Sequence, residues 1–267
     1  MREITDKREL QEIELEIFDA IHAFCEARGL RYSLYGGTLI GAIRHKGFIP
    51  WDDDIDLIMP RPDYEIFCRE FKADGFSVHD HRNDPSYVYP FAKVYHDGTV
   101  LVEDCFPRIK SSVYVDIFPV DGFPDKGISL QKARRSREIN MKWVWYKYSP
   151  FWRKERALYK TFLLWCLRSI LCFFSKSYFI ERFQRDVRKH GFENNPFVAD
   201  MTWGYGAKQC VPASAFESFV CVDFEGRKAK AIVGWEQYLR NVFGDYMLLP
   251  PLEKRVSNHS FKAWRKD

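Results

Sequence analysis

The stretch from Gly36 to Met59 constrains this chain more than any other. It ends in four carboxylates within five residues, Asp52, Asp53, Asp54 and Asp56, and runs straight into the apolar Leu57-Ile58-Met59. Like charges packed at the mouth of a buried strand push one another toward protonation unless a cation compensates. Carboxylate oxygens are hard ligands, and Mg²⁺ is usually held by one or two of them plus substrate phosphates. Side chains two apart on a strand share a face, so an extended Asp54-Ile55-Asp56 would aim two carboxylates the same way, roughly 6–7 Å apart at their origins. Ile55 would then turn into the core. Gly36 and Gly37 lie shortly upstream. Glycine lets backbone approach a phosphate closely, and the following Thr38-Leu39-Ile40 can open a helix whose N-terminus favours anions. A solvated acidic turn is the plain alternative for a lone acidic triplet.

Other residues join this pattern. Val113-Tyr-Val-Asp-Ile-Phe118 reads as a β-branched and aromatic strand interrupted by Asp116. A lone carboxylate there is expensive and becomes sensible if it meets Asp54 and Asp56 around a metal. Asp121-Gly122 reads as a turn. Arg44 and Lys46 can contact substrate phosphates or simply pair with the aspartates. His45 between them suits a structural hydrogen bond better than a general base. Phe91–Tyr95 and Thr99–Glu103 straddle His96-Asp-Gly98, a hairpin signal. Lys93 on the first of these strands is a candidate phosphate ligand or an exposed edge lysine.

The string Gly36-Gly-Thr-Leu-Ile-Gly-Ala-Ile-Arg-His-Lys-Gly-Phe-Ile-Pro-Trp-Asp-Asp-Asp-Ile-Asp56 resembles the signature of the LicD family, whose distant relatives include fukutin and fukutin-related protein. Tyr114–Gly122 and Phe243–Arg255 extend the resemblance across most of the chain, with a divergent middle. The resemblance implies an α/β fold of the nucleotidyltransferase type, a mixed central sheet with surrounding helices and, here, a basic helical insertion. It implies transfer of a phospho-alcohol group, typically phosphocholine from CDP-choline, to a hydroxyl of a cell-surface glycan or its lipid-linked precursor, of teichoic acid or lipopolysaccharide type, with release of CMP. Asp54, Asp56 and Asp116 would hold Mg²⁺ or Mn²⁺ and form the catalytic set. Gly36, Gly37, Thr38, Arg44, Lys46 and Lys93 would contact substrate. Asp116, or else Asp52 or Asp53, would take the hydroxyl proton. A glycosyltransferase using a nucleotide sugar, or a non-catalytic membrane-bound scaffold, are the alternatives.

Charge is unevenly spread. The chain has 267 residues and a net charge of +4. From Lys126 to His190 there are 17 Lys and Arg against 4 Asp and Glu, a local +13, which leaves −9 for the remainder. This divides the chain into a core over 1–125, a basic helical segment over 126–190 and a C-terminal part over 191–267 that packs back on the core. Within the segment, Ala157 to Phe174 is apolar apart from Lys160 and Arg168. Leu163, Leu167, Ile170 and Phe174 make one stripe, with Trp165 and Cys172 beside it. That stripe suits a core helix or a helix lying on an anionic membrane surface. No nucleic-acid-binding motif accompanies the charge. Residues 6–28 read as a structural helix capped by Asp6 and ended by Gly29, with Leu10, Ile13, Ile17, Ile21 and Phe24 inward and Glu and Arg on the other face. Trp203-Gly-Tyr-Gly-Ala-Lys208 is a loop able to stack a base or a headgroup. The seven cysteines, Cys105 among them, are odd in number and show no CxxC pair, which fits a reducing cytoplasm. The first residues do not read as a secretory signal, and no apolar run is long enough to span a bilayer. The expected location is cytoplasmic, peripheral on the inner face of the membrane.

Overall fold

A computed structural model describes residues 1–103, 109–148, 157–203, 205–256 and 261–266, the side chains of 148, 158 and 170 excepted. Cys105, Gly204 and the side chain of Ile170, within the stretches read above, lie outside the described residues. The elements run β1 (Arg2–Ile4), α1 (Lys7–Arg28), β2 (Ser33–Leu34), α2 (Gly36–His45), β3 (Asp56–Pro60), α3 (Arg61–Glu70), β4 (Phe76–His79), β5 (Ala92–His96), β6 (Thr99–Glu103), β7 (Lys110–Ser111) and β8 (Tyr114–Phe123). Then follow α4 (Ile128–Tyr148), α5 (Leu158–Leu171), α6 (Lys176–Val187), β9 (Phe197–Ala199), β10 (Val211–Pro212), β11 (Phe219–Phe224), β12 (Arg227–Ile232), α7 (Trp235–Phe243) and β13 (Phe261–Arg265).

The central mixed sheet is ordered β10-β9-β8-β3-β2, with β5 joined to β8 and β4 to β5. β3 and β8 run parallel, and β5 runs antiparallel to β8. A second sheet, β1-β13-β6-β7, and the β11–β12 hairpin complete the β structure. Two strands of the last third therefore bond to the first half, β9 to β8 and β13 to β6. Leu57, Ile58, Met59, Ile117, Phe118 and Val120 lie buried in the main core beside Ile17, Phe18 and Ile21 of α1.

Several elements depart from the sequence expectation. α1 begins as expected, with the Asp6 side chain accepting from the Arg8 amide and Gly29 ending it at φ 63°, but Glu14 lies on the buried face between Leu10 and Ile17. Leu30 to Tyr35, β-branch-poor but rich in aromatic and apolar residues, gives only the short strand Ser33–Leu34, because the Leu30 amide bonds the Cys25 carbonyl at the helix end and the Arg31 amide bonds Asp63 Oδ1. The hairpin expected around His96-Asp-Gly98 does not form. β5 has β4 and β8 on its two edges, so β6 has no edge to join and enters the other sheet beside β13. Asp121-Gly122 is no turn. β8 continues through it, Asp121 is buried, and Arg61 donates Nε to Asp121 Oδ1 at 2.8 Å and Nη2 to Oδ2 at 2.5 Å. β3 ends at Pro60, and Glu225-Gly226 turns β11 into β12, with φ 49° and 72°. Both central residues at positive φ match the twist of a two-residue hairpin.

The described part of the basic segment is mostly helical, as α4, α5 and α6, with a short turn between α5 and α6. In α5 Leu164 and Leu171 are buried and Leu167 packs on the cluster of Leu171, Val144 and Ile180, while Leu163 is exposed, so the stripe drawn through Leu163 and Leu167 faces the core only in part. The six described cysteines are all free.

Candidate active site

The register of three strands builds the site. Asp56 on β3 lies directly opposite Asp116 on β8, and Asp116 lies directly opposite Lys93 on β5. Paired residues of neighbouring strands project from the same face, so two carboxylates and an ammonium stand in a row. Lys93 Nζ donates to Asp116 Oδ1 at 2.6 Å. Lys93 is buried, not an exposed edge lysine. Its ammonium lies 3.3 Å from the centre of the Tyr114 ring, 4.8 Å from Tyr89 and 5.5 Å from Phe91, a cation held by three aromatic faces.

Asp54 lies in the extended approach to β3, outside the strand proper, with Ile55 turned into the core. Thr38 fixes this approach. Its Oγ1 accepts from the Asp56 amide at 2.9 Å and donates to the Asp54 carbonyl at 3.4 Å. The Tyr35 amide bonds the Asp56 carbonyl at 3.0 Å. The two glycines are needed for a reason the sequence does not show. A Cβ at Gly36 would stand 3.2 Å from Asp56 Oδ2, and one at Gly37 would stand 2.7 Å from Asp52 Oδ2. The protein's own carboxylates therefore sit over the N-terminus of α2, where the helix dipole favours them.

Burial pushes the Asp56 carboxyl well above the ordinary range, and Asp54, Asp116 and Asp52 add to the push while Lys93 opposes it. Glu14 responds in the same way. It is buried, its Oε2 has no hydrogen-bond partner, and burial followed by Asp54, Asp53, Asp52 and Asp116 raises it. Next to it, Gln11 Nε2 donates to the Asp52 carbonyl at 3.1 Å. Glu14 escaped the sequence reading, although its place four residues after Leu10 and three before Ile17 puts it on the apolar stripe.

A cavity of about 590 Å³ opens over this row. Gly37, Asp52, Asp54, Asp56, Lys93 and Asp116 line its polar side, and Trp51, Tyr89, Phe91, Tyr114, Trp203, Tyr205 and Phe243 its aromatic side. Trp203 packs on Phe91 and Phe118, and Tyr205 on Phe243. Arg44 and Lys46 are not among the lining residues. Arg44 donates Nη1 to the Tyr246 carbonyl at 2.7 Å and Nε to His45 Nε2 at 2.9 Å, bracing the segment after α7. Lys46 is exposed and ends α2 at φ 60°. The structure thus brings together Gly37, Asp54, Asp56, Lys93 and Asp116, sets Gly36 and Thr38 beneath them, and leaves Arg44 and Lys46 outside.

Among the described residues, no group of three or more His, Cys, Asp or Glu side chains stands gathered as a metal cage. The strands supply Asp56 and Asp116 side by side, with Asp54 and Asp52 near enough to raise Asp56. Two hard oxygen donors completed by substrate oxygens is an ordinary protein share of a Mg²⁺ site, so the donor set fits such an ion.

An α/β fold with acidic residues on adjacent parallel strands, opening on an aromatic cavity, defines a nucleotidyltransferase-like protein. Residues 29–155 match the family model described as LicD/FKTN/FKRP, nucleotidyltransferase domain. The chain is 33% identical to the lipopolysaccharide cholinephosphotransferase LicD of Haemophilus influenzae over 267 residues, covering 96% of this chain and 97% of that one. It is also 36% identical to the ribitol 5-phosphate transferase FKRP of mouse and of human over 108 residues, 39% of this chain and 19% of theirs. The chain belongs to the LicD family.

Proposed function

We propose that this protein is a metal-dependent phosphotransferase that moves phosphocholine from CDP-choline to a hydroxyl of a cell-surface glycan or its lipid-linked precursor, of lipopolysaccharide or teichoic acid type, and releases CMP. The observation that carries the reading is the Asp56–Asp116–Lys93 register beneath the cavity. The choice of phosphocholine is supported by a relative, named a lipopolysaccharide cholinephosphotransferase, that aligns along nearly the whole chain.

In this reading Asp54, Asp56 and Asp116 hold Mg²⁺ or Mn²⁺, and the ion supplies charge neutralisation and orientation for the diphosphate. Lys93 gives the phosphates a fixed cation that burial has already stripped of water. Asp116 takes the proton of the attacking hydroxyl. A weak base suffices, because a loose phosphoryl transition state asks for positioning and charge stabilisation more than for deprotonation. Tyr89, Phe91 and Tyr114 surround Lys93, so we assign the choline headgroup or the base to the faces of Trp203 and Tyr205, which line the same cavity. Incubation with CDP-alcohols and nucleotide sugars in Mg²⁺, with the released nucleotide identified, tests this. CMP from CDP-choline is expected. Release of a nucleoside diphosphate from a nucleotide sugar would make the protein a glycosyltransferase.

A further inference from the structure

Helix α5 presents an apolar face that no other described residue covers. Tyr159, Phe162, Leu163 and Trp165 on the helix, and Phe173 in the turn just after it, are each more than half exposed, Phe173 at 85%. Burying such residues is the ordinary outcome of folding, and a contiguous exposed set marks an interaction surface.

The exposure is imposed by the packing. α5 spends its inward edge, Leu167 and Leu171, against Val144 of α4 and Phe179 and Ile180 of α6. Its orientation is then pinned from both sides. Arg168 Nη2 donates to the Tyr146 carbonyl at 2.8 Å, and Lys147 Nζ donates to the Leu171 carbonyl at 2.6 Å. The helix cannot roll its aromatic face inward without breaking these bonds at the ends of α4 and α5.

Charge identifies what covers the face. α5 carries Lys160 and Arg168 and no acidic residue. The segment around it, Lys126 to His190, holds the local excess of +13. On α4, which packs beside α5, Lys142 is exposed as well. A second copy of the same chain would bring the same positive charge to the contact and be repelled. An anionic bilayer offers attraction to the lysines and an apolar layer for the aromatic rings, the arrangement of a helix lying in a membrane interface.

We infer that α5 is a docking helix that seats the protein on an anionic lipid surface, with Phe162, Leu163 and Trp165 inserted and Lys142 and Lys160 on the headgroups. This extends the functional reading above, since an acceptor built on a lipid carrier is met at that surface. Among the described residues no helix is long and apolar enough to cross a membrane, so docking is reversible and salt-sensitive.

The test uses the full chain and sedimentation with two kinds of vesicle, one of phosphatidylcholine alone and one of equal parts phosphatidylcholine and phosphatidylglycerol. Wild type is expected to sediment with the anionic vesicles at low salt, to be released as salt rises, and to stay in solution with the neutral ones. Lys142→Gln with Lys160→Gln should weaken binding about fivefold per cation removed. Phe162→Ser with Trp165→Ser should abolish the binding that survives moderate salt. Circular dichroism and turnover on a soluble acceptor should be unchanged in both variants. Wild type left in the supernatant at low salt, variants that sediment like wild type, or a wild-type dimer in solution that the Phe162 and Trp165 changes split would each overturn the inference. A wild type that sediments as expected but releases no nucleotide would overturn the functional reading alone.

Discussion

At the scale of the residue, the three aspartates are not equivalent, and their Asn variants separate stability from turnover. Asp54→Asn, Asp56→Asn and Asp116→Asn should each nearly abolish nucleotide release. Asp56→Asn should leave metal-free stability unchanged or raise it, because the carboxyl is buried among like charges. Asp116→Asn should lower it by about 3 kcal/mol, since it strands the buried Lys93 ammonium. Urea melts in EDTA distinguish the two, and equal destabilisation in both variants would refute the ranking. Glu14 supplies a pH signature. Its carboxyl is raised above its ordinary value of 4.5, so its contribution to stability is full at low pH and is lost as pH rises through the folded value. Metal-free wild type should therefore lose more stability than Glu14→Gln as pH rises from the ordinary carboxylate range through the raised folded value. Parallel thermal melts across that range would show Glu14 to be silent.

At the scale of the element, the chain uses a buried ion pair to join the start of α3 to β8. Arg61 and Asp121 are both buried, and Asp121 raises the already high Arg61 basicity while burial opposes it. Breaking such a pair from one side leaves an uncompensated charge, so Asp121→Ala should cost about 3–5 kcal/mol. Denaturation should move to lower urea while CDP-choline affinity of the folded fraction stays near wild type, because Asp121 is not among the cavity-lining residues. A variant of unchanged midpoint would mean that the pair contributes nothing net. The same strand shows why Asp121 reads poorly from its neighbours. Asp-Gly is a turn signal, but here the glycine is required where a Cβ would meet the Gly191 carbonyl at 1.9 Å, and the aspartate is required by an arginine sixty positions away.

At the scale of the whole molecule, the cavity draws on the acidic loop, three central strands and the segments around α7, so ligand binding should stabilise all of them together. CDP-choline in Mg²⁺ should raise the melting temperature by an amount that grows with the logarithm of its concentration. EDTA should remove most of the shift, because the diphosphate is expected to bind chiefly through the ion. An EDTA-insensitive shift would separate the aspartates from the diphosphate site.

The acidic run, the aromatic strand broken by Asp116 and the glycine pair were legible because each is a local conflict between residue type and expected burial. Such conflicts survive in one dimension. The helix over 7–28 and the basic helical segment were legible for a related reason, since period and capping act over one or a few turns. What the tertiary structure alone decided depends on partners distant in sequence. It set Asp56 opposite Asp116 and Asp116 opposite Lys93, registers that belong to three strands spread over residues 56 to 123. It placed Glu14 against the acidic loop, turned Arg44 to the segment after α7, and sent β6 to a different sheet from β5. It also decided which edge of α5 faces inward. That helix is apolar on more than one side, so its own periodicity leaves the choice to the packing of α4 and α6 beside it.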